Sequence, residues 1–135
     1  MRKRFVSIYF SISIVLMAAG CSKEEDCSQS NDLKGEWIWV ESVGGIGGWT
    51  LTPESQNVTK KLVIDDATFS EFVNDFLIFK STYTLGISEK ALIGTTEKTY
   101  IRYESGNQQA ILIKGSELEL IDQCYDCYSN RYLRK

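Results

Sequence analysis

Apolar and polar residues alternate along the chain in short segments that are separated by turn-forming residues. The first segment, residues 36–41, places Trp37 and Trp39 on one side, and a period of two is typical of a half-buried β-strand. Glu117–Asp122 alternates acidic residues with leucine and predicts one wet and one dry face. Similar segments are 60–64, 68–73, 76–85, 99–104, 109–114 and 128–135. The sequence thus predicts eight short strands.

Turn-forming residues join these strands in chain order. Asn74-Asp75 predicts a two-residue hairpin turn, because both residue types tolerate positive φ. Residues 44–48 contain four glycines and, with the apolar patch that follows up to Pro53, predict a long mobile loop. Residues 86–98 are ambiguous, with a helical turn as one option for 88–92. Since closure removes exposed sheet edges, we expect an all-β fold: a small antiparallel up-and-down barrel over residues 33–135.

The N-terminus has the pattern of an export signal. A basic start, residues 1–4, precedes an uncharged apolar run, residues 5–17, and the small residues 18–20 follow. The run is too short to cross a bilayer comfortably, so residues 1–20 are predicted to be a signal peptide and not a membrane helix. The polar residues 21–32 lack a hydrophobic period and predict a flexible tether.

Ala19-Gly20-Cys21 resembles the lipobox of bacterial lipoproteins, although Ala18 stands where leucine is usual. The resemblance implies that Cys21 is acylated and anchors the chain in a membrane; plain secretion with a free Cys21 is the alternative. The acidic cluster at 22–26 resembles an export signal of some Gram-negative lipoproteins, and a solvated linker is the alternative. We therefore expect a cell-envelope protein held on the outer membrane, with surface display favoured.

Charge and composition narrow the chemistry. The formal net charge is −3, and loss of Arg2, Lys3 and Arg4 with the leader would take it to −6. Nucleic-acid binding depends on clustered basic residues, so nucleic acid is not an expected partner. The chain has no histidine, the commonest general base and metal ligand. We therefore expect no enzyme activity, metal or cofactor. We also expect the protein to be a monomer.

The start of the first strand resembles a known family. Gly35-Glu36-Trp37, a long first loop, seven further antiparallel strands and a late basic residue resemble the lipocalin pattern, and more closely the small lipocalin-like domains of bacterial lipoproteins. The resemblance implies that Trp37 closes the barrel floor beneath an arginine of the last strand, with Arg134 favoured over Arg131. Gly35, Trp37 and Arg134 would then form the floor. An ordinary core tryptophan is the alternative.

Two functions fit such a barrel. In the first, the mouth binds a small hydrophobic or amphipathic ligand, with the first loop as a lid and tyrosines as polar contacts. The candidate residues are Trp39, Ile46, Trp49, Leu51, Tyr83, Tyr100 and Tyr103. In the second, inward side chains such as Trp39, Phe69, Phe79 and Leu118 fill a narrow barrel. The protein would then be a surface module that contacts a partner protein or glycan.

Three cysteines accompany Cys21: Cys27, Cys124 and Cys127. An envelope location favours disulfides. The favoured bridge joins Cys27 to Cys124 or Cys127 and so ties the tether to the last hairpin, and a local bridge between Cys124 and Cys127 is the competing arrangement. A redox role is disfavoured, because reactive dithiols need a helix N-terminus and this pair lies between two strands.

Overall fold

Nine strands form the sheet in the computed structural model, which describes residues 32–135. They are β1 (Gly35–Gly44), β2 (Trp49–Leu51), β3 (Lys60–Ile64), β4 (Thr68–Val73), β5 (Phe76–Ile87), β6 (Thr99–Tyr103), β7 (Gln108–Lys114), β8 (Glu117–Asp122) and β9 (Tyr128–Arg134). A short helix, α1 (Pro53–Gln56), precedes β3. In this part of the chain no helix is long and apolar enough to cross a bilayer. The predictions for the leader, Cys21 and Cys27 lie outside the described residues.

Pairing between β1 and β9 closes the sheet. From β3 to β9 the strands follow one another in chain order, and every neighbouring pair is antiparallel. β1 pairs with β3 on one side, from Gly35 to Ile38, and with β9 on the other, from Trp37 to Gly44. The eight strands β1 and β3–β9 therefore form a closed up-and-down barrel. The predicted fold class is confirmed, and closure leaves these strands without a free edge.

β2 is an additional strand that the sequence did not predict. Trp49 pairs with Gly44 and Leu51 pairs with Ser42, so the glycine-rich segment folds back as a hairpin on β1. Gly45 and Gly48 have φ of 74° and 61°, and the Gly48 N–H donates to the Gly45 carbonyl over 3.0 Å. Such angles are unfavourable for residues with a Cβ. The loop prediction for 44–53 is therefore wrong, because these glycines form a tight hairpin turn.

The turn between β4 and β5 is confirmed. Asn74 and Asp75 both have positive φ, 49° and 65°, and the Asn74 side-chain oxygen accepts a hydrogen bond of 2.9 Å from the Thr59 N–H. The ambiguous segment 88–98 contains no helix. Its Ile93 N–H donates instead to Oε1 of Gln123 over 2.9 Å, so this loop is attached to the connection between β8 and β9.

We call the end of the barrel where β1 begins and β9 ends the floor, and the opposite end the mouth. Side chains alternate between interior and exterior along the strands; on β8, Leu118 and Leu120 are buried while Glu117 faces solvent. Apolar side chains fill the interior on the floor side: Leu33, Trp37, Trp39, Leu62, Ile64, Phe69, Ile101, Ile111, Leu118 and Leu120. Burial of each such side chain contributes roughly 1.5–3 kcal/mol.

The start of β5 carries apolar side chains that face solvent, and we expect them to contribute little to stability. Phe76 is 76% exposed, so Phe76→Thr should change the free energy of unfolding by no more than about 0.5 kcal/mol. Leu118 is fully buried, and Leu118→Ala should cost about 2–5 kcal/mol. Urea unfolding of both variants measures the contrast. Equal losses would contradict this assignment of interior and exterior.

Candidate ligand-binding site

Trp37 seals the floor of the barrel. Its side chain is fully buried, and its Nε1–H donates to the Leu33 carbonyl over 2.8 Å. The guanidinium carbon of Arg134 lies 4.2 Å from the centroid of the indole. Arg134 also donates to the carbonyl of Lys34 over 2.6 Å and to that of Asp32. One cation thus holds the indole and the incoming backbone together, and Asp32 belongs to the folded domain rather than to a tether.

Gly35 allows the guanidinium to approach the backbone. Its φ is 137°, and a Cβ at this position would lie 2.7 Å from Nη1 of Arg134. Arg131, the other candidate for the tryptophan, instead pairs with Glu41, with 3.0 Å between Nη2 and Oε1. The structure therefore assigns the floor contact to Arg134.

A cavity of about 980 Å³ opens at the mouth. Its polar lining includes Lys60, Glu71, Tyr103, Gln109, Asp122, Asn130 and Tyr132, and its apolar lining includes Leu62, Phe69, Phe79 and Leu120. Small-molecule sites typically have volumes of about 300–1,000 Å³. The cavity therefore has the size of a ligand site, with an apolar wall and several polar groups.

Three neighbouring strands build a chain of hydrogen bonds along one side of the cavity. The Tyr103 hydroxyl at the end of β6 donates to Oε1 of Gln109 on β7 over 2.5 Å. Nε2 of Gln109 then donates to Oδ1 of Asp122 at the end of β8 over 2.7 Å. Burial raises the pKa of Tyr103 well above its ordinary value, so the phenol stays protonated and remains the donor. The chain ends on the carboxylate of Asp122.

Lys60 and Glu71 place opposite charges on two adjacent strands. The Lys60 ammonium lies 4.5 Å from the centroid of the Trp39 ring, a favourable cation–π contact. Burial raises the pKa of Glu71, nearby Lys60 lowers it, and Asp122 raises it further. Among residues 32–135, no hydrogen bond or ion pair reaches the Glu71 carboxylate. The structure therefore leaves the acceptor capacity of Glu71 unused.

Tyr132 brings a second unused polar group to the cavity. Its side chain is only 5% exposed, and its hydroxyl has no hydrogen-bond partner in the part of the chain that the structure describes. Since no fully buried polar side-chain atom of the described residues lacks a partner, this hydroxyl must be accessible, and it is accessible through the cavity that Tyr132 lines. Burial raises the pKa of Tyr132, and the hydroxyl therefore remains neutral.

A β-bulge on β1 turns Ser42 toward the interior, where its hydroxyl links Trp39 to Asn130 in the cavity wall. The register with β9 shifts between Trp39 and Glu41, and such a shift reverses which residues face inward. Ser42 is therefore buried on the same side as Trp39, and its hydroxyl accepts from the indole Nε1–H over 2.9 Å. That hydroxyl donates to Oδ1 of Asn130 over 2.6 Å. This second chain of hydrogen bonds fixes the Trp39 ring on which Lys60 rests.

The tyrosines predicted as polar contacts lie in three different places. Tyr103 lines the cavity. Tyr83 instead donates to the Asp65 carbonyl over 2.7 Å, next to the turn at the floor. Tyr100 lies 5.0 Å from the guanidinium of Arg102, outside the cavity lining. Because inward and outward positions alternate along β6, Tyr100 and Tyr103, which are three residues apart, face opposite sides of the sheet.

The residues predicted as a lid do not line the cavity. Ile46 and Trp49 lie on the β1–β2 hairpin and are 92% and 65% exposed, while Leu51 packs against the core. Pairing with β1 fixes this hairpin as an extension of the sheet. Trp39, the remaining candidate, is buried below Lys60. The structure thus separates the lid candidates from the site.

Most of the polar lining was missed at the sequence level, although period-two counting could have found it. Lys60 lies two residues before the buried Leu62, Gln109 two before Ile111, and Asp122 two after Leu120. Each therefore lies on the inward face near a strand end. Polar residues at such positions usually mark the solvated rim of a sheet, and only closure of the barrel turns them into a lining.

Cys124 and Cys127 are bonded to each other, with 5.4 Å between their Cα atoms, a normal spacing for a disulfide. The favoured bridge to Cys27 is therefore wrong, and the local alternative is the one that forms. The short connection between β8 and β9 brings the two residues together, and both border the cavity. Residues 32–135 contain no group of three or more His, Cys, Asp or Glu side chains that could hold a metal ion.

Comparison of the chain with protein-family models, with curated proteins and with solved structures gave no match. The geometry of the cavity is therefore the basis for the functional argument.

Proposed function

We propose that this protein is a non-enzymatic binding protein that holds a small amphipathic molecule in the cavity at its mouth. The observation that supports the proposal is the cavity of about 980 Å³ on top of a sealed apolar floor. A ligand in it would meet the rings of Phe69 and Phe79 and the carboxylates of Glu71 and Asp122. The polar lining favours an amphipathic ligand over a purely hydrophobic one.

The cavity also favours this proposal over a surface interaction module with a filled barrel. Large side chains do occupy the floor side, as a filled barrel requires, and Trp39, Phe69 and Leu118 are all buried there. The mouth side, however, contains the cavity of about 980 Å³, and polar side chains form much of its lining.

Native mass spectrometry of the protein purified from its own host tests the proposal. We expect a bound small molecule that is lost in Glu71→Phe, because Glu71 makes no hydrogen bond with residues 32–135 and a phenyl ring there fills the mouth without breaking either hydrogen-bond chain. Glu89→Phe, at an exposed position outside the lining, is the matched control and should keep the ligand.

The same protein should also bind the neutral fluorescent probe N-phenyl-1-naphthylamine, and Glu71→Phe should not. Wild-type protein that carries no ligand and does not bind this probe would overturn the proposal. Circular dichroism of both variants shows whether the fold is preserved.

We further propose that the protein is an envelope lipoprotein anchored to the outer membrane through Cys21. The support is the basic start, the apolar run and Ala19-Gly20-Cys21 in the sequence. Cells fed a radiolabelled fatty acid should label the wild-type protein, and Cys21→Ser should abolish the label and release the protein from membranes. Equal labelling of the variant would contradict acylation at Cys21.

A further inference from the structure

We propose that the cavity selects a monovalent organic cation, a small primary amine that carries an apolar group. The inference rests on the proposed function and specifies its ligand. Three charged residues line the cavity: Lys60, Glu71 and Asp122. One ammonium and two carboxylates give it a formal net charge of −1. A ligand that carries one positive charge would neutralise this charge inside the barrel.

Two carboxylates and one phenol hydroxyl that line the cavity have acceptor capacity left over. The Glu71 carboxylate accepts no hydrogen bond from the described residues, and that of Asp122 accepts one, from Gln109. The accessible Tyr132 hydroxyl adds a further acceptor. A primary ammonium group has three N–H donors and no acceptor. Its three donors match the unused acceptors of Glu71, Asp122 and Tyr132.

These three groups line one cavity. Glu71 lies on β4, Asp122 lies four strands further around the barrel on β8, and Tyr132 lies on the next strand, β9. The two carboxylates therefore face the cavity from opposite walls, and Asp122 raises the pKa of Glu71. A cation between the carboxylates would relieve their repulsion, whereas an anion would add to it.

Lys60 does not convert the cavity into an anion site. Its ammonium rests on the Trp39 ring at 4.5 Å, and Glu71 lies on the neighbouring strand within electrostatic reach. A carboxylate or phosphate that approached Lys60 would therefore also approach Glu71. Repulsion from Glu71 and Asp122 would offset the attraction.

The apolar part of the ligand has a defined wall to pack against. Phe69, Phe79 and Tyr103 form an edge-to-face cluster with centroids 5.1–6.2 Å apart, and all three line the cavity. Aromatic faces attract cations as well as hydrocarbon. The cluster therefore suits an amine with a short apolar or aromatic chain.

Three probes of similar shape and different charge test the inference: 2-phenylethylamine, 2-phenylethanol and 3-phenylpropionate. Isothermal titration calorimetry of the full mature chain should show that the amine binds at least about tenfold more tightly than the alcohol, and that the carboxylate binds most weakly. The alcohol is the reference, because it fills the same space without a charge.

Substitutions at the acceptors locate the cation. Glu71→Gln and Asp122→Asn keep the shape of the side chain and remove one charge each. Each should weaken binding of the amine about five- to tenfold and change the affinity for the alcohol by less than about twofold. Tyr132→Phe should weaken binding of the amine about threefold without lowering the melting temperature, because within residues 32–135 the hydroxyl has no hydrogen-bond partner to lose. Glu89→Gln, outside the lining, should leave all three affinities unchanged.

Each outcome is decisive. If the alcohol binds as tightly as the amine, or if Glu71→Gln and Asp122→Asn leave the amine unaffected, the cation inference is overturned and the proposed function stands. The same conclusion holds if no probe binds but the protein from its host carries a neutral or anionic molecule. If none of the three probes binds, N-phenyl-1-naphthylamine does not bind and the host protein is empty, both the inference and the proposed function fail.

Discussion

Replacing Trp37 by alanine is expected to destabilise the protein by about 3–5 kcal/mol, the usual cost of removing a buried tryptophan. The indole is fully buried at the floor, donates to the Leu33 carbonyl and lies beneath the guanidinium of Arg134. Its loss opens a void and removes both contacts. Because small domains are stable by about 5–15 kcal/mol, this change removes a large fraction of the total. Equilibrium unfolding in urea measures it.

Two comparisons separate the possible causes of that loss. Trp49→Ala removes a tryptophan that is 65% exposed and should cost no more than about 0.5 kcal/mol. Arg134→Lys keeps the positive charge but cannot reach both the Asp32 and Lys34 carbonyls, so it should cost about 1–3 kcal/mol. A Trp37→Ala variant as stable as Trp49→Ala would contradict the role of Trp37 as the floor.

Gly44→Ala is expected to destabilise the protein by about 2–6 kcal/mol. At this position φ is 153°, and a Cβ would overlap the Cys127 carbonyl oxygen and lie 2.9 Å from Cα of Tyr128. These are backbone atoms of the strand that pairs with β1 and of the connection before it. They cannot move without opening the β1–β9 seam. Overpacking and backbone strain each cost about 1–3 kcal/mol.

Gly48→Ala is the matched control for Gly44→Ala. Gly48 also has a positive φ, 61°, but no atom of the described residues lies within 4 Å of an added Cβ. Its substitution should therefore cost only the conformational strain, about 1–2 kcal/mol. Thermal and urea unfolding of the two variants should show the larger loss at Gly44, and a smaller loss there would show that the seam tolerates separation at its mouth end.

The strands and their order could be predicted because each is encoded locally. Glu117–Asp122 shows its inward face in the sequence alone, and Asn74-Asp75 defines its turn by the φ values it tolerates. β2 could not be predicted in the same way, because Trp49–Leu51 forms a strand only by pairing with the far end of β1. Three residues are too few to show a period-two alternation of apolar and polar positions.

The cavity was harder to predict than the fold. Its size depends on the diameter of the closed barrel and on which side chains meet across it, and neither quantity is local. The sequence places Trp39 and Phe69 inside. It does not show that Glu71 forms no hydrogen bond or ion pair with the rest of the described chain, or that the Tyr132 hydroxyl faces open space. The predicted disulfide partner was wrong for a related reason. The sequence shows how many cysteines there are and suggests an oxidising compartment, but it does not show which cysteines lie close together.

The contact between Arg134 and the Asp32 carbonyl also fixes where the preceding chain leaves the barrel. It leaves at the floor, on the side opposite to the opening of the cavity. If Cys21 is acylated as proposed, the ten residues between it and Asp32 reach at most about 36 Å, and the membrane attachment joins the barrel at the end away from the cavity. The attachment then leaves the opening of the cavity clear for a water-soluble amine.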